Sequence, residues 1–351
     1  MNNILQNKRS LAFALSSFAL GIWAFVKVNS VSGPAFEPIL EVCGDSSIDP
    51  SDFPTKTKYH AYEPIVGLGI FKILVCLITQ FLLELRETYP EGILTWGGVV
   101  VVSLPVGLLA LSEAGRAGVK GPLKYPTFIG LLYQLFGISV MFPMVWVPSY
   151  ILGHGKQSAP ITLIRIYTAL IVSLPALVLT TIVFSASTDS YLWTVSAGIL
   201  GGPILALMGI VLWKDKSPEV LPTKENIANN IKAVKKTYSV IMTLSFILWC
   251  YLVNVVYQSY DFSLNILWKD VWVDANASVA FMTVDTIVLY LAIIIFVAYR
   301  SQGKALKMIL ITPIVGPGVA EGWAFCSLEV ESLEKQLLAI SSSDGDMKKK
   351  S

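Results

Sequence analysis

Long apolar runs separated by short polar intervals recur along almost the whole chain. A hydrocarbon core about 30 Å thick takes about 20 apolar residues of helix to cross. Eight stretches meet or approach that length: 10–26, 64–83, 92–112, 127–151, 161–185, 192–213, 238–258 and 278–298. Only helices satisfy every backbone N–H and C=O of such runs in lipid. The pattern therefore predicts an all-α fold, a polytopic integral membrane bundle of about eight transmembrane helices over 10–298. Residues 1–9 are expected as a cytosolic N-terminus and 299–351 as a cytosolic tail. Lys8 and Arg9 precede the first run as they would in a signal peptide. Val26-Lys27-Val28-Asn29 offers no small-x-small cleavage site, so a retained helix is expected.

The intervals between the runs carry further information. Residues 30–62 are Pro- and acid-rich and too long for a simple turn, and are expected as a lumenal loop. Residues 308–320 are apolar but too short and too broken by Pro and Gly to span. They are expected at the cytosolic face or re-entering the bundle, followed by an amphipathic cytosolic helix from Glu321 to Ile340. No internal repeat is visible, so the inverted-repeat architecture of many transporters is not indicated.

Lys and Arg in the loops orient the bundle. With the N-terminus in the cytosol, the inside positions include Lys8, Arg9, Arg86, Lys156, the lysines from Lys214 to Lys236, Arg300, Lys304 and Lys307. The outside loops are acidic, with Glu37, Glu41, Asp45, Asp49, Asp52, Asp261, Asp270 and Asp274. One interval disagrees, because Arg116, Lys120 and Lys124 fall outside. Both termini are expected in the cytosol. Lys348-Lys349-Lys350-Ser351 fits a dilysine signal for retrieval to the endoplasmic reticulum, the alternative being a solvated lysine-rich end. The sequon Asn276-Ala277-Ser278 abuts the last run, and no glycan is expected there.

Composition agrees with this picture and excludes several classes. Of 351 residues, 54% are hydrophobic and 14% charged, with a mean hydropathy of +0.65, against about 25% charged in a soluble domain. A formal charge of +2 gives no pull toward nucleic acid. Cys43, Cys76, Cys250 and Cys326 lie far apart and suggest neither a disulfide framework nor a zinc site. With only His60 and His154, the multi-histidine iron boxes of membrane desaturases are excluded.

An ionisable residue inside a membrane is a functional candidate by default. Asp285 sits in Phe281-Met-Thr-Val-Asp-Thr-Ile-Val-Leu-Tyr290 with no charge near it in sequence. A carboxyl in low dielectric tends to hold its proton, which makes it a candidate Brønsted acid; a helix-packing hydrogen bond or an ion pair is the alternative. At about 1.5 Å per residue, Glu63, Lys72, Glu113, Gln134 and Asn254 are expected at compatible depth, lining a polar cavity. Lys72 has snorkelling or pairing with Asp285 as its other roles. Arg165 and Glu84 are interfacial. Aromatics are dense in two of the helices, with Phe128, Tyr133, Phe136, Phe142 and Trp146 in one and Phe246, Trp249, Tyr251, Tyr257 and Tyr260 in the other. Desolvated aromatic faces stabilise a cation by about 1–2 kcal/mol each, although lipid packing accounts equally for any one of them. Trp193 opens the sixth run, and Trp268 and Trp272 read as interfacial belt residues.

No DDxxD-type cluster, GxGxxG, P-loop or nucleophile elbow occurs. Cofactor-dependent redox and diphosphate ionisation are disfavoured, whereas acid–base chemistry on an apolar substrate stays open.

In overall size, eight-run layout, Pro-rich loop, lone acid in the last run and closing Val315-Gly-Pro-Gly-Val-Ala segment, the chain resembles the fungal membrane-bound terpene cyclases of meroterpenoid pathways, the ascofuranone-type family. The likeness covers roughly residues 10–325, with Asp285 matched to the family's membrane acid. It implies a farnesyl chain as substrate, free or attached to an aromatic or quinone head group, and neither metal nor organic cofactor. Protonation of a terminal epoxide or olefin by Asp285 would start cyclisation. Glu113 or Glu63 would serve as its partner or as the terminal base, and Tyr133, Trp146, Trp249 and Tyr257 would line the cation path. A small transporter or receptor-like protein, with Lys72, Asp285 and Asn254 forming the ligand site, is the rival reading. A sterol-isomerase type of enzyme is the third.

Overall fold

The computed structural model describes residues 2–44, 70–116, 118–155, 159–187, positions 192, 193, 196, 197 and 199, and 222–350. Among them the regular elements are helical throughout: α1 (Asn2–Gly44), α2 (Ile70–Glu87), α3 (Glu91–Ala114), α4 (Pro126–Phe136), α5 (Ile138–Gly153), α6 (Leu163–Ser185), α7 (Lys224–Tyr260), a short α8 (Leu264–Trp268), α9 (Ala277–Arg300), α10 (Gln302–Val315) and α11 (Pro317–Lys350).

Five helices are long and apolar enough to cross a membrane: Lys8–Val31 within α1, α3, α6, α7 and α9. The expected eight is therefore corrected to five among the described residues. The run 64–83 falls on α2, whose described length holds Lys72, Glu84, Arg86 and Glu87, too many charges for a span. The run 127–151 is not one helix, because Gly137 breaks it with φ +87°. Most of 192–213 lies outside the described residues. The loop expected over 30–62 is corrected in its first part, because α1 continues to Gly44. Pro34 and Pro38 each remove a backbone donor there without ending the helix.

Two ends of the bundle can be told apart by their contacts. At one end Tyr260 donates to Glu91 (2.6 Å), Ser278 to Glu84 (2.5 Å) and the Asn276 amide to Thr88 (2.6 Å). At the other end Arg116 reaches Glu329, Arg165 donates to the Gly115 carbonyl (3.0 Å), Arg300 donates to Tyr150 and Arg9 to the Tyr299 carbonyl. Helices α3 and α9 run parallel between these ends and form the centre, with 61% of each span buried. Only 22% of the α7 span is buried, so α7 stands at the periphery with Phe246, Ile247 and Tyr251 facing outward. Helix α1 turns Leu11, Leu15, Phe18, Ile22 and Phe25 outward and a seam of small residues, Ala14, Ser17, Gly21 and Ala24, inward. Small residues let backbones approach where no hydrophobic drive separates protein from lipid. A Cβ on Gly21 would stand 2.3 Å from Met144.

Two helical hairpins enter from the Arg116 end and return to it. In the first, α4 descends to Gly137 and α5 climbs back. The 3-10 turn Gly121–Lys124 before α4 packs against the later part of α5, and Tyr150 in α5 meets Arg300 at the mouth. Pro143 and Pro148 loosen α5 into π-type turns. In the second, α10 descends to Gly316 (φ +85°) and α11 returns. Its antiparallel course is fixed by Lys304, which donates to the Ser327 carbonyl (3.1 Å) and to Glu331 (2.5 Å). Lys307 stands 4.6 Å over the Trp323 ring. The apolar segment 308–320 thus re-enters the bundle, which was one of its two expected placements. The helix expected from Glu321 packs one face, with Ala320, Glu321, Ala324, Phe325, Leu328 and Glu329, into the bundle.

Candidate functional site

Each hairpin brings its turn against a buried carboxyl. At the first, Ser139 directs both its backbone N–H (3.3 Å) and its hydroxyl to one oxygen of Asp285. Asp285 lies in α9 near the Glu91 end and is buried. Gly137 is required on two counts: its φ belongs to glycine, and a Cβ there would come within 3.2 Å of the same Asp285 oxygen. The hairpin turn is therefore built around Asp285.

At the second, Gly316 sits under the Trp249 ring of α7, where a Cβ would lie 2.5 Å from the indole. Two residues on, Gly318 is packed on the Val101 carbonyl and Ser245, leaving no room for a side chain. Glu321 follows one turn later and is fully buried. Among the described residues neither of its carboxylate oxygens meets a hydrogen-bond donor. Ser245, one turn towards the hairpin tip, likewise has a buried hydroxyl without a partner there. Tyr290 of α9 is held against Thr312 of α10 (2.5 Å) and lies within the electrostatic reach of Glu321. An ionised carboxylate with no donor in an apolar interior costs several kcal/mol. The neutral acid is the form this environment accommodates.

The third feature closes the Arg116 end. Arg116, 4% exposed, forks between Glu113 (2.9 Å) and Glu329 (2.5 Å) and donates to the Ala159 carbonyl (2.7 Å). Burial alone lowers the Arg116 pKa, but Glu329 and Glu113 outweigh it and hold the guanidinium above its ordinary value. The other Glu329 oxygen has no partner among the described residues.

The expected site residues fall in several places. Asp285 is buried as expected, but it is not brought together with Glu113. Thr286 lies against Thr95 and Gly98 at the start of α3, whereas Glu113 stands at its far end, roughly 22 Å along the helix. The expected common depth inverts α3 relative to its observed direction. Glu63 lies outside the described residues. Lys72 is on α2 and Gln134 on α4, their side chains outside the described set. Asn254 and Tyr257 are exposed on α7, facing away from the interior. Trp146 is buried in a stack with Phe142 and Tyr150, edge-on to Phe296, and is core packing. Tyr133 packs on the same core with its hydroxyl buried and unpartnered among the described residues. Of the expected lining residues, Trp249 lies over Gly316, five residues before Glu321 on the second hairpin. Among the described residues no group of three His, Cys, Asp or Glu side chains is arranged to hold a metal ion.

Sequence reading missed Glu321, Glu329, Tyr238 and Ser139. The signal for the first was present: Gly318-Val-Ala-Glu-Gly322 is a small-x-x-x-small seam, which lets one helix sit closely on another. Gly322 indeed lies against Met242 and Tyr238 of α7. A helix of that kind is docked, and its Glu is carried inward.

The fold is that of an all-α polytopic membrane bundle, with two helical hairpins packed into it among the described residues. Comparison with protein-family models, with curated proteins and with solved structures gives no match.

Proposed function

We propose that the protein is an intramembrane acid catalyst that isomerises an apolar prenyl chain, a cyclase of the type expected from sequence, with Glu321 as the acid in place of Asp285. The observation that carries this reading is the carboxyl of Glu321, buried at the turn of the second hairpin with no donor on either oxygen among the described residues. Such a group retains its proton at neutral pH and donates it to a weak base, an epoxide oxygen or a terminal olefin carbon. Epoxide protonation opens the C–O bond, and a neighbouring double bond attacks the resulting cation. Loss of a proton from the final cation restores the acid, so mass is unchanged. Trp249, over Gly316, and Tyr290, within electrostatic reach of Glu321, are the aromatic faces this reading offers to positive charge. Both are only partly buried, which gives a lipid-dissolved chain lateral access. Asp285, already accepting two hydrogen bonds from Ser139, has the geometry of a packing residue.

The charged residues fit one orientation. Lys8, Arg9, Arg116, Lys120, Lys124, Arg165, Lys224, Arg300 and Lys304 belong to elements that begin or end at the Arg116 end, against Lys27, Arg86 and Lys269 at the other. By the positive-inside rule the Arg116 end faces the cytosol, and the discordant loop 116–124 comes into line. Residence in the endoplasmic reticulum belongs to the same proposal.

The test is incubation of the protein in nanodiscs with farnesylated phenols, epoxidised or not. Isomeric products of unchanged mass are expected, abolished in Glu321→Gln and largely kept in Asp285→Asn. Absence of isomers from both substrates, or full turnover by the Glu321→Gln protein, contradicts the reading. One observation favours a second reading: hairpins broken within the membrane are also how transporters build ion sites. Proton flux into proteoliposomes driven by a solute gradient, lost in Glu321→Gln, would support that reading.

A further inference from the structure

Helix α7 has 37 residues. At about 1.5 Å each it is about 55 Å long, well beyond a hydrocarbon core of about 30 Å. Its charges all fall before Thr237: Lys224, Glu225, Lys232, Lys235 and Lys236. Lys232, Lys235 and Lys236 are exposed, and their spacing of three and four places them on one face. Ser239, Thr243, Phe246, Ile247 and Cys250 continue that face into the apolar part of the helix, and all are exposed. Neither hydroxyl requires water there. Ser239 donates to the Lys235 carbonyl (2.7 Å) and Thr243 to the Ser239 carbonyl (2.9 Å).

Helix α6 borders this face. The Asn230 side chain accepts from the Ile161 N–H (2.8 Å). Six residues further along both segments, the Lys236 ammonium stands 6.0 Å from the centroid of the Tyr167 ring. The two helices therefore run parallel from the Arg116 end, in one register. On α6 the exposed side chains Ile164, Tyr167, Ile171 and Val178 fall at helical spacing on one stripe, which lies alongside Lys236, Thr243 and Ile247 of α7. Three ammonium groups thus stand at the head of a surface whose lower part is apolar on both helices. The protein does not neutralise them. At the same end Arg116 is paired with Glu113 and Glu329, and Lys304 with Glu331, whereas Lys232, Lys235 and Lys236 have no acidic partner among the described residues.

We propose that the exposed α6–α7 face binds an anionic phospholipid of the leaflet at the Arg116 end, with its phosphate among Lys232, Lys235 and Lys236 and its acyl chains along Ile171, Val178, Phe246 and Ile247. Basic side chains where a helix leaves the membrane attract anionic headgroups, and the long lysine stem lets the ammonium follow the phosphate while its methylenes stay on apolar surface. Charge and apolar surface on one continuous face select this occupant. A zwitterionic lipid would cover the apolar stripes and leave three ammonium charges uncompensated. An acidic polypeptide would meet the lysines and leave the stripes unused. A second copy docked by the same patch would set lysines against lysines. The proposal requires nothing of Glu321 and nothing of catalysis.

The experiment releases the full chain from detergent micelles in native mass spectrometry and titrates it with dioleoyl phosphatidylglycerol or dioleoyl phosphatidylcholine. The native protein should hold the anionic lipid at least about tenfold more tightly than the zwitterionic one. Lys235→Gln/Lys236→Gln should remove most of that difference. Lys120→Gln/Lys124→Gln takes the same charge from exposed positions at the same end and should leave it intact. Ile171→Trp obstructs the stripe with the lysines in place and should weaken phosphatidylglycerol as well. Equal retention of both lipids by the native protein overturns the proposal, as does native-like selectivity in Lys235→Gln/Lys236→Gln or an equal loss in both lysine pairs. Glycerol 1-phosphate, the phosphate without chains, should not displace the lipid at equal concentration; displacement would make the ligand a free phosphate and overturn the lipid. A dimer in the same spectra that is lost in Ile171→Trp would put a second copy on this face, with the same consequence.

Discussion

The two hairpins are alike in shape and opposite in how they treat the carboxyl they enclose. Each enters from the Arg116 end, turns at a glycine of positive φ, and returns. The first brings Ser139 to Asp285 and satisfies it twice. The second carries Glu321 inward on its own helix and leaves it without a donor among the described residues. A buried carboxyl that is hydrogen-bonded holds helices in register, whereas one left bare is retained at a cost that packing alone does not explain. Burial therefore does not by itself distinguish the two carboxyls; the state of their hydrogen bonds does.

The sharpest way to break this comparison is to release the second hairpin. Arg116→Met leaves Glu113 and Glu329 buried together without their cation, a loss of roughly 3–5 kcal/mol. Thermal unfolding in detergent should show the largest drop of any substitution considered, with Glu329→Gln milder because Arg116 keeps Glu113. A melting temperature of Arg116→Met equal to that of the native protein would deny that this fork anchors α11.

The two turns can be set against each other next. Either glycine replaced by alanine meets a backbone strain of about 1–3 kcal/mol. At Gly316 the new methyl also runs into Trp249, 2.5 Å away, while at Gly137 the nearest atom is at 3.2 Å. Gly316→Ala should therefore unfold at a lower temperature than Gly137→Ala. The reverse order would mean that the Trp249 contact is easily relieved.

The smallest effect belongs to the mouth of the second hairpin. Hydrogen bonds from Lys304 and then Lys335 hold the Glu331 carboxyl down at about 2. A depressed pKa stabilises the fold above the ordinary carboxylate range and loses that contribution as pH falls through about 2. Glu331 is about half exposed, at 48% of its side chain, so screening leaves the pair worth less than about 1 kcal/mol. Lys304→Ala should move the melting temperature slightly at neutral pH and by less well below pH 2, where only the Ser327 hydrogen bond is still lost.

Much of this organisation was legible in the sequence, for physical reasons that also explain its limits. Helix α9 was readable because an unbroken apolar run of span length has one solution in lipid. The run 127–151 looked the same to hydropathy, and only the backbone at Gly137 separates a span from a hairpin. Segment 308–320 announced itself through Pro313, Gly316, Pro317 and Gly318, which no straight helix wants. Glu321 was misplaced because a helix with Glu321, Glu329, Glu331 and Glu334 averages to a polar one. Its first three turns, rich in Gly and Ala, behave differently from its last. Asp285 was visible as a lone acid, but Ser139 is distant in sequence, so its satisfaction was not. Glu113 was assigned to the wrong depth because the direction of α3 had been inferred by counting spans.

The claim that the bare carboxyl differs from the satisfied one is tested most directly by infrared spectroscopy of the native protein, Glu321→Gln and Asp285→Asn at neutral pH. The account predicts a protonated-carboxyl C=O band that disappears in Glu321→Gln and is unchanged in Asp285→Asn. A band that survives Glu321→Gln and disappears in Asp285→Asn would contradict it.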